Sequence, residues 1–357
     1  MPKKSTRGSK PLHGWRQKQS RTKLNNKVKL GFIILTFLAL ILISGWVIRI
    51  FNTVFINSWK LSSDHTKSLN FKFNTNFILS SDSISLVSFN TKEKKVTQIR
   101  IPPETYLQAG QFGRWQIRSL YSLGESTQIG FGPLLMSGSI STLFGVPIDG
   151  FIHWNDESSK KDPDQILFEM RQKIFGCLGL FAHIETNFTP WELNRLCWEI
   201  SGVRFDKVVS IDLSDFNLLD QAKLADGSGI FTIDPIKLDS VIDQFVDPTL
   251  RGDNISVAIF NATQYPSLAQ HARRMITNLG GNVIFIGNFN KELKTSLVMG
   301  NNSETYKYLK QIFVLCEKTK DCDKIEPEEL EALFSRAEIN IFLGEDYYQK
   351  IRIQPKN

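Results

Sequence analysis

The sequence predicts an α/β fold, membrane-anchored, with a layered α/β domain followed by a small C-terminal α/β domain. Three observations carry this. Strand-like and helix-like segments alternate from Phe71 to about Ser214. The alternation resumes over residues 253–347. Ahead of both lies an apolar run, Leu30–Ile48, that carries no charged residue.

The chain has 357 residues and a formal charge of +7, unevenly spread. Residues 1–29 hold ten Lys and Arg and no Asp or Glu, so the remainder carries a net charge of −3. The basic character therefore belongs to a tail. It predicts no nucleic-acid surface on the body, and no nucleic-acid partner is expected. As a helix, the run 30–48 reaches roughly 28 Å, about the hydrocarbon thickness of a bilayer. Trp46 and Arg49 at its far end suit headgroups. The cationic tail puts the N-terminus in the cytoplasm and the body outside, in a single pass of the cell membrane. The run is too long for a signal-peptide core, and "SGWVIRIFN" offers no small-residue cleavage pattern. Residues 49–70 read as a polar stalk.

Within 71–214, "SISLVSF" and "KKVTQIRI" read as paired strands joined by the polar "NTKEK". "GPLLMSGSISTLFG" reads as a helix, with Pro133 in its first turn and Gly145 just past its end. "VPIDGFIHW" returns as a strand. "TPWELNRLCWEIS" opens on a capping box formed by Thr189 and Glu192. Residues 215–252, rich in Gly, Asp and Pro, read as a linker or a strand-bearing connector. In 253–347, "ISVAIFNAT", "NVIFIGNF" and "INIFLGED" read as strands, and "KTSLVMG" as a further candidate. "PSLAQHARRMITNLG" and "SETYKYLKQIFVLC" read as helices. Residues 348–357 read as a tail.

Outside the cell, four cysteines meet an oxidising setting. Cys316 and Cys322 enclose "EKTKD", where a local disulfide is sterically plausible. Cys177 and Cys197 lie in apolar runs and are expected as buried free thiols. No Cys/His spacing resembles a zinc site. "DGSG" at Asp226–Gly229 and the pair Asp212 and Asp215 read as turns or caps. His153 and His183 sit beside aromatics at element ends, where packing or surface roles are usual. "IFGCLGLF" reads equally as an ordinary core segment or as the lining of a lipid-tail pocket.

Charged residues gather where a strand stops at Pro102-Pro103, since neither proline donates to a ladder: Arg100, Glu104 and, one strand earlier, Asp82. Here the order of segments resembles a family. "DSISLVSFNTKEKKVTQIRIPPETYL", "QIRSLYSLGE" and "LFGVPIDGFIHW", following an N-terminal anchor, resemble the LytR-CpsA-Psr cell-envelope proteins. Residues from "ISVAIFNATQYP" to "INIFLGED" resemble the LytR C-terminal domain. The resemblance implies a LytR-CpsA-Psr-like layered domain over 71–214 and a LytR C-terminal-type domain over 253–347. Intact members look like enzymes that move a glycopolymer from a polyprenyl-pyrophosphate lipid to peptidoglycan. They use a divalent metal on aspartates, and arginines that clamp the diphosphate. Carried over, the strand-opening aspartate is Asp82 and the tyrosine of the family's "KinaAY" is Tyr121, with Gln116 at its lysine.

The departures fall on the clamp. The arginine and aspartate of the family's "IPRDT" become Pro103 and Glu104, and a proline offers neither charge nor donor. The upstream "gvDsR" segment has no match, and the "YvR.R" stretch is replaced by one whose single arginine is Arg171. Asp82, Arg100, Glu104 and Arg118 remain as candidate catalytic residues of a rudimentary phosphate site, with Asp82 and Glu104 as metal ligands. The plainer alternative is a retained sheet edge with solvated charges. No cofactor is expected unless that vestigial site works, in which case the resemblance implies Mg²⁺. The resulting expectation is a non-catalytic binding or scaffold relative whose partner is wall glycopolymer or an envelope protein, with a polyprenyl-phosphate lipid as a further candidate. The alternative is an active phosphotransferase.

Overall fold

The structure, a computed structural model, describes residues 28–42, 44–45, 71–315 and 337–353, apart from 157, 173–176, 178–179, 182, 216–217, 224–226, 228 and 240–242. Residues 1–56 form one unit and residues 57–357 another, which is compact. In the first, residues 28–42 are helical, and their apolar side chains are exposed. Among the described residues no helix is long and apolar enough to cross a membrane. Part of the expected span 30–48 lies outside those residues, as do Cys316 and Cys322.

The second unit is built on three sheets. The first has six strands in the order β7-β6-β1-β2-β3-β8. They are β1 (Thr75–Ser80), β2 (Ile84–Asn90), β3 (Lys95–Ile101), β6 (Gly150–Trp154), β7 (Ile184–Thr186) and β8 (Val208–Asp212). β1, β2 and β3 run antiparallel in turn, whereas β6 joins β1 and β8 joins β3 in parallel. β1 and β2 are buried at every position, as strands covered on both faces must be.

Strand parity sends Ile78, Leu86, Ile99 and Phe151 to one face, under α1 (Leu120–Thr127) and α2 (Gly132–Phe144). It sends Phe77, Leu79, Val87 and Ile152 to the other, under α3 (Pro163–Arg171) and α4 (Pro190–Ser201). α2 ends on Gly145 at φ +60°, a left-handed cap that glycine adopts without a Cβ penalty. α4 starts on the expected capping box: Glu192 N donates to Thr189 Oγ1 at 3.3 Å, and Thr189 N donates to Glu192 Oε2 at 3.0 Å.

The cysteines of this layer correct the sequence reading. Cys177 and Cys197 are buried as expected, but they form a disulfide, with Cα atoms 6.4 Å apart. Cys197 shares the inward stripe of α4 with Leu193, Leu196 and Ile200, and the chain at Cys177 enters the same core. Apolar neighbours signalled burial in both segments but carried no information about pairing.

The second sheet, β5-β4-β10-β9, combines β4 (Thr105–Gln108) and β5 (Arg114–Gln116) with the hairpin β9 (Leu219–Lys223) and β10 (Gly229–Ile233). The stretch 215–252 thus supplies two strands, followed by α5 (Pro235–Asp239) and α6 (Pro248–Asp253). Asp247 caps α6 and also accepts from the Asn74 backbone N–H at 2.6 Å, tying the connector to the start of β1.

The third sheet, β12-β11-β14-β13, contains β11 (Ser256–Asn261), β12 (Asn282–Asn288), β13 (Leu297–Gly300) and β14 (Ile339–Leu343). β11 is parallel to both β12 and β14. α7 (Leu268–Asn278) and α8 (Glu304–Phe313) bury one side of it. Arg274 on α7 reaches out of this layer. Its Nε and one terminal nitrogen each donate to Asp239 at 2.7 Å, and its terminal nitrogens donate to the carbonyls of Thr142 and Leu143, also at 2.7 Å. Asn278 adds a bond to the Phe144 carbonyl at 3.0 Å. The last carbonyls of α2, which no intrahelical donor satisfies, are therefore capped from α7. Finally α9 (Glu345–Arg352) leads Ile353, at φ +50°, into the core beneath α2, against Gly138.

Candidate functional site

The hairpin turn between β1 and β2 and the turn after β3 open at the same end of the first sheet, because Ser80, Ile84 and Ile101 are register neighbours. Thr105 N donates to Pro102 O at 3.0 Å, closing a β-turn with Pro103 at its second position, where a fixed φ suits proline. Pro103 is thus a turn former.

The register also aligns Glu185 of β7, His153 of β6 and Ser80 of β1 in one row. Ser80 shares parity with Ile78, so the row faces α1 and α2. Tyr121 of α1 meets it: its hydroxyl donates to Glu185 Oε2 at 2.6 Å, and its ring stacks on His153 at 4.1 Å. His153 Nδ1 lies 3.2 Å from Ser80 Oγ. One turn along α1, the Glu125 carboxylate accepts from Gly130 N and Gly132 N, both at 3.0 Å, and so fixes the start of α2.

The electrostatics follow from burial. Desolvation, then the bond to Glu185, pushes the Tyr121 hydroxyl far above its ordinary value, so it stays a donor. Desolvation lowers the His153 imidazole to about 4 against the opposing pull of Glu125, so the ring is neutral at pH 7. The cluster is therefore two carboxylates, a phenol, a neutral imidazole and a hydroxyl. It can position a hydroxyl-rich ligand or pass a proton, but none of these groups neutralises a diphosphate.

The four residues singled out from sequence sit around this end without sharing a partner. Arg100 alternates with Ile99 and Ile101, so it points to the α3 face, away from the row. There it forms an ion pair with Asp164, which also accepts from Gln98 at 2.8 Å. Asp82, in the β1–β2 turn, pairs with Lys160 at 3.0 Å, and both side chains are about 70% exposed. Arg118 donates to Gln116 Oε1 at 2.9 Å. Glu104 is half-buried in the proline turn, and its backbone carbonyl accepts from Phe231 N at 3.4 Å. Among the described residues no three His, Cys, Asp or Glu side chains are grouped to hold a metal ion. Asp82, one of the two carboxylates expected as metal ligands, is engaged by Lys160, and one or two carboxylates hold Mg²⁺ only together with waters and substrate phosphates.

Sequence reasoning identified Tyr121 through the motif resemblance but gave Ser80 and Glu185 no role and His153 a packing or surface one. Only strand register joins them. Asp212 behaves as expected of a cap, accepting from Ser214 N at 2.8 Å.

No family model matches the chain, and no curated protein matches it. Among solved structures it is similar to TagT of Bacillus subtilis, at 16% identity and a TM-score of 0.35, over 50% of this chain and 93% of that one. A second TagT structure, described as a LytR-CPS2A-psr family protein with bound octaprenyl pyrophosphate lipid, matches at 16% identity and TM-score 0.35, over 50% of this chain and 92% of that one. The Lin1025 protein of Listeria innocua matches at 16% identity and TM-score 0.37, over 49% of this chain and 97% of its own.

Proposed function

We propose that this chain is a membrane-anchored, extracytoplasmic cell-envelope protein of LytR-CpsA-Psr type. In this reading it binds wall glycopolymer, or an envelope protein presenting it, without transferring it. The observation that carries the reading is the sheet end itself. A turn proline stands where the family places a guanidinium, and Arg100 leaves the strand on the opposite face, held by Asp164. The row Glu185–His153–Ser80 with Tyr121 then offers hydrogen bonds suited to sugar hydroxyls in place of a diphosphate clamp. Anchoring is supported by the uncharged run 30–48 after a cationic tail, and the extracytoplasmic body by the disulfide.

The alternative, an active phosphotransferase, is favoured by the Tyr121–Glu185 bond, which could relay a proton to a leaving or attacking oxygen. Incubating the purified full chain with a polyprenyl-pyrophosphate-linked glycan, peptidoglycan and Mg²⁺ separates the two. The binding reading expects retention of the glycan with no release of polyprenyl phosphate. Turnover that disappears in Tyr121→Phe would establish the enzyme instead. Fusing a periplasm-active reporter after residue 357 tests the topology, and an inactive reporter would refute the outward body.

A further inference from the structure

The other end of the first sheet holds a polar cleft of about 160 Å³. Its floor comes from β2 and β3, where Ser88 and Thr97 are direct register partners and 3% and 2% exposed. Ser88 Oγ is closed off beneath that floor with no hydrogen-bond partner among the described residues, which leaves Thr97 as the hydroxyl that faces the cleft. Two cations stand on different walls. Lys95 of β3 is half-buried, and its Nζ donates to Gln244 Oε1 at 2.7 Å, which uses one of its three N–H bonds. Arg251 of α6 is exposed, and its guanidinium has no hydrogen bond or ion pair among the described residues. Glu93 is the acidic residue among those lining the cleft, so the lining is net positive.

We infer that this cleft is a binding site for a small phosphate-bearing ligand, separate from the Tyr121 cluster. A guanidinium fork, an ammonium and the Thr97 hydroxyl supply donors from several directions, as a tetrahedral oxyanion with three or four acceptor oxygens requires. A planar carboxylate would use fewer of them. Ser88 lies four residues along β2 from Ile84, or about 13 Å, so the cleft and the proline turn are opposite ends of the same strand pair. The occupant would join the first sheet to α6, the helix from which the chain enters β11.

The site is tested by titrating the purified full chain with inorganic phosphate and, separately, with glycerol 1-phosphate, using acetate and chloride at matched ionic strength as controls. Calorimetry should show saturable binding of both phosphates and weaker binding of acetate. Tighter binding of the ester marks an organic phosphate as the occupant, and equal binding marks the free ion. Arg251→Ala and Lys95→Ala should each weaken phosphate by about ten-fold, and Glu93→Gln should tighten it by about three-fold. Arg251 is exposed, so its variant should keep the parent's circular dichroism and melting temperature. Phosphate binding no better than chloride overturns the site. So does binding that survives both cation variants yet disappears in Arg118→Ala, which would move it to the opposite end of the sheet.

Discussion

Replacing Arg274 by methionine removes the clamp between the third layer and the first while keeping most of the side chain's apolar stem. Four bonds at 2.7 Å disappear, two to Asp239 and two to the α2 carbonyls of Thr142 and Leu143. Hydrogen bonds to charged groups contribute a net ~1.5–3 kcal/mol each when buried. Here the ion-paired side chains of Arg274 and Asp239 retain 22% and 27% exposure, so water replaces part of what is lost. Asp239 also keeps the amide of Asn278, at 3.0 Å. The expected loss is therefore about 2–4 kcal/mol, below the sum of the four bonds. Arg274→Lys restores the charge but not the fork, and should recover less than half. Urea unfolding of the full chain in detergent measures the loss. Hydrogen exchange at the amides of residues 141–145 should rise in the variant, because the helix end that Arg274 caps would open more often. A loss below about 0.5 kcal/mol would refute the reasoning, since that is the range of an ordinary surface substitution.

Gly145→Ala should cost about 1–3 kcal/mol, read by the same unfolding experiment. It strains a backbone at φ +60° and brings a Cβ within 2.8 Å of Asn278 Nδ2, so it should also reproduce the exchange pattern of the Arg274 variant. Cys197→Ser should lower stability by about 3 kcal/mol, the loop-closure value for cysteines 20 residues apart, and reduction of the parent should match it. Alkylation of the unreduced, denatured chain should leave Cys177 and Cys197 unlabelled, and labelling of either refutes the pairing. His153 has a folded pKa of about 4, below its unfolded value of 6.5, so the unfolded chain binds the extra proton between those values. The ring's neutral contact therefore contributes fully above pH 6.5 and is lost as pH falls towards 4. His153→Phe should flatten that part of the stability profile, and an imidazole proton titrating near 6.5 by NMR would contradict the burial argument.

Much of the architecture was legible because local chemistry and tertiary packing agree. Thr189, Pro190 and Glu192 specify a helix start, Pro133 and Gly145 bracket α2, and "SISLVSF" and "KKVTQIRI" pair through a turn that their polarity marks. The site was harder to read. Arg100 lies three positions before Pro103, and the sequence shows that its side chain leaves the strand from a different point, but only strand pairing shows that it meets Asp164 on the α3 face. Glu185 sits in a three-residue strand with no periodic signal, and nothing local reveals that β7 brings it beside His153 and Tyr121. The disulfide was missed for the same reason: an apolar context reports depth, whereas pairing depends on two segments meeting. Arg274 and Asp239 likewise belong to different layers and gave no spacing cue.

Ile353 has a consequence for synthesis. The first sheet and its four helices are complete in sequence by residue 212, yet one wall of the interior under α1 and α2 is a side chain translated about 140 residues later. A chain still emerging from the ribosome or translocon would hold that interior open, with the surface around Gly138 exposed to chaperones and neighbouring chains. A product stopped before residue 345 should therefore misbehave as a whole rather than yield a sound first layer, because maturation is sealed from the far end of the chain.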